Sequence, residues 1–519
     1  MSKHNKAHIA NRSRRQPNPY RYRAVFGPSK PAYTGASDKR SLESWGAPFG
    51  TADSELLPAL PTLRNRSRDL YRNTPVARGV IKTMKRGVLG AGLQLQAAID
   101  KDFLNLTEEE AMRWQANAEQ EFRLWAESRE CDFMRQQTFK GLQKLASLSQ
   151  QTAGDVFVLL PWVARQGVPY DLKVQFIEAD RVCNPNDLPD TEQIAGGIER
   201  DSNGVPIAIH IRTPHPAAVF FTQVTPTWQR VPFYGPNSGR RNVLQLLNVE
   251  RIGQTRGEPF LAPIIDSIKQ ISRYSEAELA AAVTNAMWSV SIKRPLVDTT
   301  SGFNYDYPVG EEPWTQAGSF QLGSGTILQG APGEDIGMVA ATRPSSQFDP
   351  FFLACIKQIA MAVDIPFEKL IKHFSSSYSA SRAALLEAYE MFEEERDNFV
   401  EMFNQPIYEE FLTEAVIKGR IIAPGFLTNP AIRLAYSGAY WQGPAKPILD
   451  EVKEANAAIL RVNNNLSTKE VEAQRLSGMS FKDIVRARGE ELKLEREHLL
   501  AIAETGQSYY EEEEEDEDE

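Results

Sequence analysis

Cysteine is scarce in this 519-residue chain, and so are long apolar runs. The three cysteines, Cys131, Cys183 and Cys355, are odd in number and far apart, which predicts a reducing compartment and argues against a disulfide framework or a zinc site. No run approaches the roughly 20 apolar residues that a membrane span needs. The N-terminal MSKHNKAHIANRSRRQPNPYRYR lacks the apolar core of a secretory signal. We therefore expect no membrane partner.

The motifs of several enzyme classes are also missing. The chain contains no Walker A loop, HExxH, paired CxxC or GxSxG, which argues against an ATPase, a zinc protease and a serine hydrolase. Gly87, Gly90 and Gly92 do not form a phosphate loop, because no strand precedes them and no GK[ST] follows; they indicate a turn into a strand. The six histidines are scattered. We predict no catalytic residue, metal ligand or cofactor, although scattered acids leave a metal-dependent nuclease open.

What the chain does have is a globular composition with segregated charge. Apolar residues make up 42% and charged residues 24%, and the length allows two to four domains. The net charge of −10 misleads, since nine acids lie in Glu511–Glu519 and the rest carries about −1. Residues 1–40 hold ten Lys/Arg and one acid, and residues 61–90 hold eight and one. This pattern indicates contact with polyanions at some surfaces and their exclusion at others.

Both ends of the chain have the composition of disordered segments. Residues 1–55 are rich in Arg, Pro, Gly, Ser and Tyr without apolar periodicity, which predicts a basic mobile arm. That arm is equally compatible with a solubilising role and with binding nucleic acid or a scaffold. Residues 506–519 predict a disordered acidic tail.

Residues 56–260 predict an α+β domain. Leu63–Arg72 and Pro75–Gly87 have the pattern of two short helices, and TEEE at Thr107 opens a longer one with a capping box. Alternating segments follow, with Ser-Asn-Gly at 202–204 as a hairpin signal. After Pro263 an apolar stripe predicts a helix over Ile264–Ile292, and residues 295–347 then predict a small β-containing excursion.

The chain is organised around the next stretch. A helix over Phe351–Val363 is followed by a polar loop, Asp364–Tyr378, and by an amphipathic helix, Ser379–Gln405. Ala383–Glu401 contains seven acids and one base, Arg396. Four acids share the side opposite the apolar face: Glu387, Glu390, Glu394 and Glu401. Taken alone, this pattern is also typical of an ordinary solvated helix face.

More helices are predicted downstream. The first covers Ile407–Gly419, and after an aromatic segment the others cover Ile448–Val462, Ser467–Leu476 and Phe481–Glu504. STKE at 467–470 has the spacing of a second capping box.

Six blocks, in order, carry a resemblance to a known family. They read RSRDLYRNTPVARGVIKTMKRGVLGAGLQLQ, GDVFVLLP, ADRVCNPND, VERIGQTRGEPFLAPIIDSIKQI, VDIPFEKLIKHFSSSYSASRAALLEAYEMF and AYWQGPAKPILDEVKEANAAILRVNNNLSTKEVEAQRLSGMSFKDI. Over roughly residues 55–500 the chain resembles the tailed-phage portal proteins of the lambda family. The arm and the acidic tail show no such resemblance.

The resemblance implies an α+β portal fold and a division of the chain into named parts. The parts are the arm (1–55), an α/β wing (56–260), a stem helix (261–294), a clip (295–347), a second stem helix (348–363), a tunnel loop (364–378), a tunnel helix (379–405), a wing return (406–446), a helical crown (447–505) and the acidic tail (506–519). It also implies a homododecameric ring at one capsid vertex, assembled in the host cytoplasm and carried in the virion. Its implied partners are double-stranded DNA without sequence specificity, the terminase large subunit, head-completion or adaptor proteins, and major capsid and scaffold proteins.

In such a channel, the acidic helix would repel the duplex and keep it centred. The expected loop contacts to DNA are Lys369, Lys372, His373, Ser375, Ser376 and Ser377. The alternatives that remain beside this interpretation are a capsid or scaffold protein without a channel, a DNA-binding regulator, and the metal-dependent nuclease.

Overall fold

The computed structural model describes residues 46, 49–220, 224–286, 290–293, 335–338, 348–373, 378–445 and 450–497. The chain divides into two compact units, Met1–Gly50 and Thr51–Glu519, and nearly all described residues belong to the second. Helices and antiparallel sheets both contribute to it, which confirms the predicted α+β class.

Helices carry most of the described backbone. They are α1 (Ala52–Asn73), α2 (Pro75–Leu89), α3 (Glu108–Ala126), α4 (Phe139–Ala153), α5 (Ile265–Ala286), α6 (Phe348–Ala362), α7 (Phe367–Ile371), α8 (Tyr378–Phe399), α9 (Gln405–Ile417), α10 (Pro430–Ser437), α11 (Glu451–Asn463), α12 (Lys469–Ser477) and α13 (481–497). The capping box of α3 is confirmed: the Thr107 side chain accepts from the Glu110 N–H, and the Glu110 carboxylate accepts from the Thr107 N–H at 2.9 Å.

The described strands form four small antiparallel sheets. They are β1 (Gln94–Ala97), β2 (Asp155–Leu159), β3 (Gln175–Ile177), β4 (Ile194–Ala195), β5 (Ile198–Arg200), β6 (Pro206–Thr213), β7 (Thr227–Pro232), β8 (Val243–Leu247), β9 (Val290–Lys293), β10 (Asp335–Met338) and β11 (Ala439–Gln442). The sheet orders are β3-β2-β8, β4-β5-β6-β7, β1-β11 and β9-β10. The hairpin predicted at residues 202–204 is confirmed, since β5 and β6 pair across it.

The first helix begins earlier than expected. Ala52 opens α1, inside the predicted arm, and the Thr51 side chain caps it. Pro58 and Pro61 lie within the helix, where each removes only one backbone donor and faces solvent. The opposite face packs inward, with Leu60 buried. Packing therefore outweighs the two prolines, and the helix begins within the last residues of the segment predicted as the arm.

A buried charge cluster fastens α1 to the central sheet. Asp155, at the start of β2, is fully buried and receives Arg64 of α1 at 2.7 Å and Arg256 at 3.1 Å. Burial alone would raise the pKa of Asp155, but Arg256 and Arg64 hold it below its usual value. Arg256 also donates to the carbonyls of Val182 and Ala179. One carboxylate thus ties together segments that are far apart in sequence.

The largest apolar core packs elements from the last third of the chain against elements from its first third. Phe122 of α3 makes edge-on ring contacts with Phe139, Tyr408, Phe411 and Trp441, at centroid distances of 5.6, 5.7, 5.2 and 5.7 Å. These rings come from α4, α9 and β11. β11 also pairs with β1, so residues more than 340 positions apart share a sheet. Such edge-on pairs add to the area that the aromatic side chains bury.

The helix predicted over Ile264–Ile292 is shorter than expected. α5 ends at Ala286, and Val290–Lys293 forms strand β9, paired with β10. The alternating Val290 and Ile292 favour the extended backbone that pairing with β10 provides. At about 1.5 Å per residue, the observed helix spans roughly 33 Å. Within the segment predicted as the β-containing excursion, the described residues are those of β10, and GTILQGA lies outside the described residues.

Candidate functional site

The predicted loop at residues 364–378 contains a helix. Lys369 lies on α7, not in a loop as predicted. Pro366 is the N-cap residue of this short helix. The Lys369 side chain is half-buried, and burial, with Arg86 of α2 nearby, lowers its pKa. Lys372 has a left-handed backbone at the end of α7, and both it and His373 are exposed. Ser375, Ser376 and Ser377 lie outside the described residues.

Four acids of α8 and the turn that follows it form one exposed stripe, which we call the acidic stripe. Its members are Glu387, Glu390, Glu394 and Glu401. Each is exposed, and none makes an ion pair or a side-chain hydrogen bond with a described residue. The stripe is therefore an uncompensated line of negative charge, and its carboxylates serve no visible structural purpose within the described part of one chain.

The opposite face of α8 packs on α2. Phe392 is buried there, and a Cβ added at Gly87 would come within 2.4 Å of its ring. Arg396 is also buried; its Nε donates to the Val88 carbonyl at 2.9 Å and its Nη2 to the Gly87 carbonyl at 3.2 Å. Both carbonyls belong to the last turn of α2, where they lack partners within the helix. A cation at this end also interacts favourably with the helix dipole. The lone base in the acidic segment thus faces inward, so the exposed side remains purely acidic.

The chain does not break after α8, although a boundary at Gln405 was predicted. A π turn, Val400–Asn404, leads directly into α9. Gln405 donates its N–H to the Val400 carbonyl, five residues earlier. This wider turn admits Pro406, which has no N–H to donate, without ending the helix. The acidic helix and the helix predicted over Ile407–Gly419 are therefore one continuous element.

The acids of α9 contrast with the acidic stripe. Glu410 is buried and receives Arg240 Nε at 2.8 Å and the Arg241 N–H at 3.2 Å. Glu414 is buried too, and accepts the Leu172 N–H at 2.8 Å. These carboxylates anchor α9 to the α+β domain formed by the first half of the chain. Glu410 and Glu414 are therefore buried and paired, whereas the acids of the acidic stripe are exposed and make no ion pair with a described residue.

A cavity of about 240 Å³ lies where α2, α4 and α8 meet. Glu395 of α8, Glu250 and Glu258 contribute carboxylates to its lining. Burial raises the pKa of Glu395, and the neighbouring Glu394 and Glu250 raise it further. Burial and Glu250 likewise raise the pKa of Glu258. Negative charge around this cavity is thus only weakly compensated.

One group among the described residues has metal-capable side chains close together: Glu178, Asp180 and His215. Arg68 of α1 already pairs with both carboxylates, at 3.5 Å from Glu178 and in a closer contact with Asp180. His215 Nε2 lies 3.3 Å from Glu178. The Arg68 guanidinium already supplies the positive charge that a metal ion would bring. We therefore interpret this group as an ion-pair network and not as a metal site.

Sequence reasoning missed the anchoring roles of Gly87 and Arg396. A glycine inside the α2 pattern and a lone base in an acidic helix were both visible, but only the packing of α8 on α2 explains them. No helix in the described part of the chain is long and apolar enough to cross a membrane.

Comparison with known proteins identifies the class. The model of the family "phage portal protein, lambda family" matches residues 38–396, which is more than half of the chain. The chain therefore belongs to the lambda family of phage portal proteins, which are structural components of the phage particle at the head–tail connection.

Two curated relatives match along most of their length. The portal protein of Escherichia phage N15 is 23% identical over 466 residues, covering 85% of this chain and 86% of the relative. Portal protein B of Escherichia phage lambda is 22% identical over 464 residues, covering 85% of each.

Solved structures show distant likenesses. A chain in the neck of an empty gene transfer agent particle, computed with C6 symmetry, aligns at TM-score 0.45 and 13% identity, covering 80% of this chain and 94% of that one. A chain in the native gene transfer agent virion aligns at TM-score 0.42 and 12% identity, covering 81% and 94%.

Proposed function

We propose that this portal protein assembles as a homododecameric ring at one capsid vertex, and that double-stranded DNA enters and leaves the head through the ring's channel. The family match supports the role, and the acidic stripe is the observation that carries the mechanism. A channel that moves DNA must not hold it, because contacts between phosphates and cations are cumulative. Four unpaired carboxylates per subunit, repeated around a ring, give a wall that repels the duplex and centres it.

Rigid support makes this wall effective. α8 is fixed along its inner face by Phe392 and Arg396, and at its C-terminal end by the buried Glu410 of α9. A charged surface on a firmly packed helix keeps its geometry while DNA passes. Next to it, Lys372 and His373 are exposed beyond α7, where brief phosphate contacts can form and break.

The division of the chain follows the same proposal. Residues 56–260 and 406–446 form the wing, 261–294 and 348–363 the stem, 295–347 the clip, 364–405 the tunnel loop and helix, and 447–505 the crown. The clip would meet the terminase large subunit and head-completion or adaptor proteins. Capsid and scaffold proteins would hold the ring in the head shell during assembly in the host cytoplasm. The proposal includes no catalytic step.

Native mass spectrometry of the purified full-length chain, paired with electron micrographs, tests the ring. Closed rings of about a dozen subunits with an open centre are expected, since most soluble oligomers close by rotational symmetry. A chain that stays monomeric at high concentration with scaffold protein present, or that cuts DNA in the presence of a divalent metal ion, contradicts the proposal.

A further inference from the structure

Five cations lie on α2 and on the two helices α4 and α7, which pack against it. Only one of the five, Lys369, also belongs to the proposed channel. We call this surface the basic ridge. Its members are Lys82, Lys85 and Arg86 of α2, Lys144 of α4 and Lys369 of α7. On α2, Lys85 and Arg86 follow Lys82 by three and four positions, so all three lie on one side of the helix.

Helix packing brings the members of the ridge together, because α2 packs against both α4 and α7. The shifts in pKa agree with this arrangement. Burial lowers the pKa of Lys85, and Lys144 and Lys82 lower it further. Burial also lowers the pKa of Lys369, and Arg86 lowers it further. The ridge therefore extends from α4 across α2 to α7.

No described carboxylate pairs with these cations. None of the five takes part in an ion pair or a side-chain hydrogen bond with a described residue, and no acid offsets the lowered pKa of Lys85 or Lys369. An ordinary solvated lysine extends into water and keeps its distance from like charges. Lys85 and Lys369 are instead part-buried beside other cations, an arrangement that costs free energy unless an anion completes it.

We propose that the basic ridge binds the phosphate backbone of double-stranded DNA. Four of its five members are lysines, which are compact hydrated point charges and do not impose the two-point geometry of arginine. Contacts of that kind are independent of base sequence. The ridge attracts DNA, whereas the acidic stripe on the adjoining helix α8 repels it.

The choice of DNA rests on the proposed function, which brings a duplex to this protein. A second polyanion is available in the chain itself, because residues 511–519 are all acidic. The ridge favours the duplex because its cations are spread over three helices, and the duplex offers phosphate charges along its whole length, about one per 1.7 Å of its axis. Occupation by the acidic tail is kept as an outcome of the test.

Binding of a short labelled duplex of mixed sequence by the full-length chain, measured by fluorescence anisotropy across a salt series, tests the proposal. The triple variant Lys82→Gln/Lys85→Gln/Lys144→Gln removes three ridge charges. The matched control Arg113→Gln/Arg129→Gln/Lys493→Gln removes three exposed cations from other elements. A third variant with arginine at the three ridge positions keeps the charge and is expected to retain binding, which separates loss of charge from loss of fold.

The ridge variant is expected to bind at least about tenfold more weakly at low salt, and its plot of log affinity against log salt is expected to be shallower by about 2–3. The control is expected to change both quantities little. Unchanged binding by the ridge variant, or an equal loss in the control, overturns the proposal. It is also overturned if the wild type binds only after residues 506–519 are deleted, because the tail would then be the occupant.

Failure of the ridge and failure of the ring are distinguishable in the same preparations. Native mass spectrometry reports the ring and anisotropy reports the ridge. If rings form but the ridge variant binds DNA as tightly as the wild type, only the proposal for the basic ridge is contradicted. If DNA binding depends on the ridge but no rings form, only the proposal of a ring is contradicted.

Discussion

The guanidinium of Arg396 donates to the main-chain carbonyl of Val88 at 2.9 Å, and this contact fixes the acidic helix α8 to the end of α2. Arg396 is only 6% exposed, although it is the one base among seven acids in its segment. Its burial has two consequences. It supplies a donor to the free carbonyls of α2, and it keeps positive charge off the exposed side of residues 383–401.

Replacing this arginine tests the first consequence. We expect Arg396→Gln to lower the free energy of unfolding by about 1–3 kcal/mol, because the buried Val88 carbonyl and the part-buried Gly87 carbonyl lose their donor. The measurement is the midpoint of denaturant unfolding followed by circular dichroism. Arg486→Gln, at an exposed position of α13, is the control and is expected to change stability by less than about 0.5 kcal/mol. Equal midpoints for the two variants would show that the contact does not stabilise the fold.

Two glycines in α2 predict opposite effects of the same substitution. Gly87→Ala places a Cβ within 2.4 Å of the Phe392 ring, so we expect a loss of about 1–3 kcal/mol despite the higher helix propensity of alanine. Gly79→Ala meets nothing within 4 Å, and we expect a gain of about 0.5–1 kcal/mol. Thermal unfolding of both variants gives the comparison. Two changes of the same sign would contradict the close approach of α8 to α2.

The carboxylates around the cavity predict a pH effect. The pKa of Glu395 is raised in the folded chain, so its ionisation favours the unfolded state once the pH exceeds the ordinary value. The stability that it contributes is therefore complete at acidic pH below that value and is lost as the pH rises through the raised pKa. We expect Glu395→Gln to be more stable than the wild type at pH about 7–8, by less than about 1 kcal/mol, with a smaller difference near pH 4.5. A difference that is larger at the acidic end would refute this assignment.

The lysines at the end of α7 predict a packaging phenotype. With Lys369→Glu/Lys372→Glu, the proposed brief contacts to phosphate become repulsive. Phage assembled with this variant is expected to package shorter DNA or to retain it less well, measured as genome length and as DNA released on heating. Arg113→Glu/Lys493→Glu, with the same change of charge on α3 and α13, is the control. If the packaged genome length and the retention of DNA are both unchanged, the proposed contacts of these two lysines with DNA are contradicted.

Local signals predicted local structure well. The Thr107–Glu110 capping box and the hairpin at 202–204 follow from a few adjacent residues, and both are confirmed. The amphipathic pattern of α8 also predicted which acids would be exposed, since a face of a helix is fixed by spacing alone.

Features that depend on distant partners could not be predicted in the same way. Proline disfavours the interior of a helix, but tertiary packing and a π turn carry the helices past the prolines of α1 and Pro406. Asp155 lies 91 residues after Arg64 and 101 residues before Arg256, and nothing in their local sequences connects them. Lys369 is held beside Arg86 by the packing of α7 on α2, so the basic ridge emerges only in three dimensions.

Electron cryomicroscopy of the assembled full-length protein tests the central proposal most directly, because one map reports both the ring and the direction of α8. We expect a closed ring of about a dozen subunits. Within it, we expect Glu387, Glu390, Glu394 and Glu401 to face the central axis. A ring in which these side chains point outward or are buried against the neighbouring subunit would contradict a channel lined by the acidic stripe.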